Sequence, residues 1–107
     1  MGALRPLPGL TAYSLSKAAV AMMGKGLARE WARYGVCVNT ICPGWISTEL
    51  NAEFLAGEAG QRLIKTFPRR RAMRVSDLDE MTLFLCSDAA ASVMGSVVAI
   101  DEAQSLA

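Results

Sequence analysis

Two segments of this 107-residue chain have the short, β-branched and nearly all-apolar character of a buried strand. They are residues 36–42 (VCVNTIC) and residues 96–101 (SVVAID), with a long, mostly helix-forming stretch between them. A connection of that length suits a parallel crossover, so the order helix, strand, helices, strand reads as α/β. Two strands alone do not make a stable sheet, because about three or more with a packed face are needed. The expectation is a part of a larger sheet whose remaining strands lie elsewhere. Hydrophobic residues make up 52% of the chain, with nine glycines besides. An average soluble domain reaches roughly 45–50% with glycine counted. A domain of about 100 residues buries only about two-thirds of its unfolded surface. Some of this apolar surface is therefore expected to face another segment or a partner.

The elements between these strands follow from periodicity and punctuation. Residues 1–11 read as a loop, since Pro6, Pro8 and Gly9 break regular structure. Residues 12–34 are strong helix formers in which Val20, Met23, Leu27, Trp31 and Tyr34 recur at helical spacing, predicting one buried stripe. Gly24 and Ala28 make a flat strip for close helix approach, and Gly35 is placed to end the helix. Residues 50–65 read as a weaker helix broken by Gly57 and Gly60, and residues 67–75 as a loop with Arg69, Arg70, Arg71 and Arg74. Ser76 with Asp79 resembles a capping box opening the next helix. Its apolar face is Leu78, Met81, Leu85 and Phe84, up to Ser87.

Several functions fall away on composition. Eleven basic against ten acidic residues give a net charge of +1, which argues against an electrostatic nucleic-acid binder. The arginine loop has no aromatic interleaving and reads as a solvated loop. No run approaches the roughly 20 apolar residues of a membrane span, and residues 1–8 do not resemble a secretion signal. With no His, the Ser-His-Asp triad and His metal sites are excluded, and no metal is expected. Cys37, Cys42 and Cys86 are odd in number and lack CxxC spacing, which predicts a reduced, cytoplasmic setting.

Two clusters carry chemistry. Tyr13 and Lys17 stand one turn apart on one helix face. A phenol is too weakly acidic to serve as a base near neutral pH, and a close cation favours its ionised form. Alone, this spacing equally describes an ordinary exposed pair. The second cluster is the strand end Val38-Asn39-Thr40-Ile41-Cys42-Pro43-Gly44, followed by Trp45-Ile46-Ser47-Thr48. A buried strand ending in Pro-Gly opens the sheet at its carboxyl edge, where α/β folds bind ligands. Its plain alternative is a strand-to-helix turn with Thr48 as the N-cap.

Together, AYSLSKAAV, VNTICPGWIST and FPRRRAMRVSDLDEMTLFLCSDAAASVMGSVVAID resemble the carboxyl-terminal half of the short-chain dehydrogenase/reductase family. The resemblance runs over nearly the whole chain, in order. It implies one partial NAD(P)-binding domain over residues 1–107, part of a Rossmann-type doubly wound parallel sheet without its amino-terminal half. It implies NAD or NADP as cofactor and a small carbonyl/alcohol pair as substrate. Tyr13 would be the general acid/base, and Lys17 would hold the nicotinamide ribose and tune Tyr13. Pro43, Gly44 and the Ile46 backbone would bracket the nicotinamide, with Thr48 bonding its carboxamide or a nearby phosphate. Arg71 matches a family Arg that anchors the next helix, and the substrate loop would be residues 49–67, with Trp45 and Met94 as pocket candidates. The helices containing Leu27 and Leu85 resemble the family's subunit-contact helices, which implies a homodimer or homotetramer of the complete protein.

The departures set the expected limits. The family's substrate-binding Ser would fall just before Met1, and its glycine-rich phosphate turn belongs to the absent half. Gly24-Lys25-Gly26 lies inside a helix, with Arg29 where a third glycine belongs. Glu102 and Ala103 replace two glycines after Asp101, and Val75 replaces a Pro. The chain alone is thus expected to be inactive. The alternative is a non-catalytic remnant that pairs with an intact subunit.

Overall fold

The structure, a computed structural model, describes residues 2–107. The expected loop over residues 1–11 begins at Met1, which lies outside the described residues. Helix α1 (Thr11–Trp31) forms from residues of high helical propensity, without a side-chain cap at Leu10. A 3-10 turn, Ala32–Tyr34, continues it to Gly35, whose φ of 75° ends the run as predicted.

Strand β1 (Thr40–Pro43) pairs in parallel with β2 (Val97–Ile100), Thr40 opposite Val97 and Pro43 opposite Ile100. Both are shorter than the sequence suggests. The ladder starts late because Asn39 ties the two segments together just before it. Its Nδ2 donates to the Val93 carbonyl at 2.9 Å, and its Oδ1 accepts from the Ser96 N–H at 3.1 Å.

The intervening segment corrects two expectations. The weak helix over residues 50–65 is two helices, α2 (Ala52–Ala56) and α3 (Glu58–Thr66). The break falls at Gly57 alone. Gly60 sits inside α3 and is buried, where a Cβ would run into the Phe54 carbonyl and the Leu55 backbone. It permits contact between helices and interrupts nothing. Ahead of α4 (Asp79–Leu85) runs a 3-10 turn, Val75–Leu78. The cap is made by Asp77, whose Oδ2 accepts the Arg74 N–H at 2.9 Å, so Ser76 with Asp79 is not the capping pair. Leu78, Met81 and Leu85 are half-buried as predicted, whereas Phe84 is exposed.

Helix α1 departs most from its sequence reading. Of the expected stripe, Val20, Met23, Trp31 and Tyr34 are exposed and Leu27 is half-buried. The buried residues are Gly24 and Ala28. A Cβ on Gly24 would strike the Thr40 hydroxyl, and one on Gly95 would stand 3.4 Å from the Ala28 Cβ. The helix therefore docks through its small residues, and no described element covers the large ones. The radius of gyration is 15.5 Å, against about 13 Å for a compact chain of about 100 residues. The chain is accordingly more extended than a compact domain of its length, with extents of 50 × 28 × 24 Å. Among the described residues, no helix is long and apolar enough to cross a membrane.

Candidate functional site

At the carboxyl end of β1 the backbone leaves the sheet and is held from behind at nearly every step. The Gly44 N–H donates to the Ile100 carbonyl at 3.1 Å, extending the ladder one residue past β1. The Trp45 N–H donates to Gln104 Oε1 at 2.7 Å. Met73 then forms a parallel bridge with Ile46: its N–H donates to the Trp45 carbonyl at 2.8 Å, and its carbonyl accepts the Ser47 N–H at 2.9 Å. Asn51 closes the turn, donating through Nδ2 to the Ile46 carbonyl at 2.8 Å and accepting the Thr48 N–H at 2.8 Å. Because the bridge uses Trp45 and Ser47, the Ile46 N–H faces the opposite side.

Beside this loop lies a cavity of about 660 Å³, which Asn51 also lines. Helix α1 supplies Tyr13 and Lys17 to its wall, β1 supplies Pro43, and the loop beyond supplies Gly44, Trp45 and Ile46. Tyr13 is half exposed, and the Lys17 ammonium lies 5.3 Å from its ring centroid. The structure thus brings together Tyr13, Lys17, Pro43, Gly44 and Ile46. Thr48 is exposed and does not line the cavity. Nor is it the N-cap of the following helix, because Asn51 holds that place. Trp45 lines the cavity with its ring 6.3 Å from that of Phe54, while Met94 does not line it.

Three supporting residues escaped the sequence reading. Met73 is 1% exposed although it sits in an arginine-rich loop, and its only sequence signal is a large apolar residue among cations. Gln104 acts through its carboxamide on backbone 59 positions away, for which a linear sequence carries no signal, whereas Asn51 acts on backbone three and five residues before it, a local turn signal that the reading of Thr48 passed over. The turn after β2 belongs to the same knot. Glu102 and Ala103 both have positive φ, 50° and 66°, the conformation that glycine adopts most easily. Glu102 is held there by Arg69 at 3.1 Å and by a short contact from Arg71, which also pairs with Asp77 at 3.6 Å. Arg71 is therefore an anchor between the last turn and the start of α4, and the loop is tied down at this point.

Asp101 fixes the turn from inside. Its oxygens accept the Ala103 and Ser105 N–H groups, each at 3.0 Å. Burial alone would raise its carboxyl, but hydrogen bonds from the Ser105 hydroxyl and these two amides outweigh that and hold it below its ordinary 3.8.

The sequence and backbone have known counterparts. A family model described as enoyl-(acyl carrier protein) reductase matches residues 1–102. The chain belongs to the short-chain dehydrogenase/reductase family. It is 38% identical over 103 residues to protein FixR of Bradyrhizobium diazoefficiens, covering 96% of this chain and 35% of that one. It is 41% identical over 90 residues to an NAD-dependent glycerol dehydrogenase of Listeria innocua, covering 84% and 35%. A gluconate 5-dehydrogenase from Burkholderia cenocepacia, solved with NADP and tartrate, superimposes with a TM-score of 0.90 at 33% identity, covering 99% and 42%. The chain thus spans well under half the length of these relatives. Its parallel strand pair with flanking helices is part of a Rossmann-type sheet.

Proposed function

We propose that these residues form the catalytic-helix and nicotinamide side of an oxidoreductase that interconverts a small carbonyl and its alcohol with NAD or NADP. The observation that carries this reading is the shared cavity, in which Tyr13 and Lys17 face the loop formed by Pro43, Gly44 and Ile46. The cofactor names of the glycerol and gluconate dehydrogenase relatives support it. The cofactor, when bound, supplies or accepts the hydride. Tyr13 gives a proton to the carbonyl oxygen on reduction and takes it back on oxidation. Lys17 holds the nicotinamide ribose hydroxyls and places positive charge beside the phenol. Pro43, Gly44 and the Ile46 backbone bracket the nicotinamide. Thr48, displaced from the cavity wall, serves a phosphate or carboxamide at the rim.

The 107-residue chain by itself does not turn over in this reading, since no described segment offers a glycine-rich turn to the pyrophosphate. The complete protein acts as a homodimer or homotetramer in the cytoplasm. Its unpaired cysteines suit a reducing compartment. A second reading, a non-catalytic remnant that pairs with an intact subunit, is favoured by the exposed Leu15, Met22, Met23 and Leu83.

Reduced nicotinamide mononucleotide tests the first reading, because it carries only the half of the cofactor these residues would hold. Titration should quench tryptophan fluorescence saturably, and Lys17→Ala should weaken the effect about tenfold or more. Absence of saturable quenching overturns it. In a protein that includes any upstream coding sequence, Tyr13→Phe should lower kcat by roughly 10²–10⁴.

A further inference from the structure

We infer that Gln104 is a positioning residue for the nicotinamide-facing loop, locking the backbone of residues 44–46 from the side away from the cavity. The inference rests on the reading of that cavity given above.

Gln104 is 1% exposed, and with Met73 it is the largest side chain in the chain to be wholly buried. Its Oε1 accepts the Trp45 N–H at 2.7 Å, a contact across 59 positions of sequence. Its Nε2 is buried without a partner. A carboxamide with one arm bonded and the other buried unpaired is a costly way to fill space, since each unmet donor opposes folding. An apolar side chain of similar volume would pack there without that cost. What the carboxamide contributes is a fixed acceptor at one point of the backbone, the amide immediately before Ile46. Gly44 confirms how closely the loop is seated: a Cβ there would come within 2.5 Å of Gln104 Oε1 and 3.0 Å of the Asp101 Cα.

The loop is thus gripped at Trp45 by Gln104, at Trp45 and Ser47 by Met73, and at Ile46 and Thr48 by Asn51. The Ile46 N–H takes part in none of these grips, and Ile46 lines the cavity. Loosening a positioned donor by about 1 Å suffices to spoil binding geometry. Gln104 itself is held by the Asp101 turn, whose carbonyl accepts the Gln104 N–H at 2.9 Å. Gln104, four residues past the end of β2, thereby reaches the mouth of β1.

The test compares Gln104→Met, which keeps volume and removes the acceptor, with Gln104→Glu, which keeps an acceptor for Trp45. Reduced nicotinamide mononucleotide is titrated into each, and the hydrogen exchange of the Trp45 and Ile46 amides is followed by NMR. Gln104→Met should bind about tenfold more weakly and lose protection at Trp45, while Gln104→Glu should bind within about threefold of the unsubstituted chain. A purely structural role would change melting temperature in both variants without separating them in affinity. Equal affinity of Gln104→Met and the unsubstituted chain overturns the inference alone. If Gln104→Met fails to fold, Gln104→Asn decides, because it draws the acceptor back by one methylene: loss of both Trp45 protection and affinity supports the assignment, and any other outcome overturns it. No binding by the unsubstituted chain removes the functional reading, and this inference with it.

Discussion

Helix α1 spans 21 residues and buries two of them, Gly24 and Ala28. The turn after β2 is far shorter, yet it buries Asp101 and Gln104 just past the strand end. The helix is specified by its own residues, through propensity and a glycine stop. The turn is specified by remote ones: Arg69 and Arg71 on Glu102, and Trp45 on Gln104. Local preference makes an element, and non-local polar contacts fix where a site points. Tyr13 and Lys17 ride on the first kind of structure, and the loop of residues 43–46 rides on the second.

The largest expected effect separates the two regions directly. Met73→Ala should cost about 3 kcal/mol in urea denaturation, because a wholly buried side chain is removed. Met23→Ala on α1, where the side chain is 56% exposed, should fall within about 0.5 kcal/mol. Comparable losses would mean that α1 is packed far more firmly than its exposure implies.

A smaller effect tests the turn by pH. The Asp101 carboxyl lies below its ordinary 3.8 in the fold, so its contribution is present above that value and is lost as pH falls through the folded value. Asp101→Asn should therefore lower stability by about 1–2 kcal/mol at neutral pH. The gap from the unsubstituted chain should close as the solution is acidified below about pH 3.8. A gap unchanged at low pH would show that the carboxylate charge is not what holds Ala103 and Ser105.

The smallest effect should have the opposite sign. Ala103 has a φ of 66°, and relieving that conformation with Ala103→Gly should stabilise the chain by about 0.5–1 kcal/mol. Glu102→Gly relieves a similar strain but forfeits the bonds to Arg69 and Arg71, so it should be destabilising. If thermal melting showed both to be stabilising, the ion pairs would be dispensable.

Much of the backbone was legible in the sequence for reasons this comparison explains. The α/β order, the Gly35 stop and the joining of Tyr13, Lys17, Pro43, Gly44 and Ile46 about one cavity all follow from spacing and from resemblance. The burial pattern of α1 was not legible, since Val20, Met23 and Trp31 keep helical periodicity whether or not a partner covers them. The alternative reading of Thr48 as an N-cap fails because Asn51, three residues on, takes the cap and also binds the Thr48 N–H. Glu102 and Ala103 looked like awkward substitutes for glycine. Only the fold shows the arginines that hold Glu102 and the carboxylate that binds the Ala103 amide.

The two-stranded sheet has a consequence for how it is completed. With the order β1-β2, each strand has a neighbour on one side only among the described residues. The outer rows of backbone amides and carbonyls are templates on which another chain can add a strand. Each row is only four residues long, which keeps any single addition weak. A row that short suits pairing with a single further strand, so the open sides mark where the rest of the Rossmann-type sheet would add its strands.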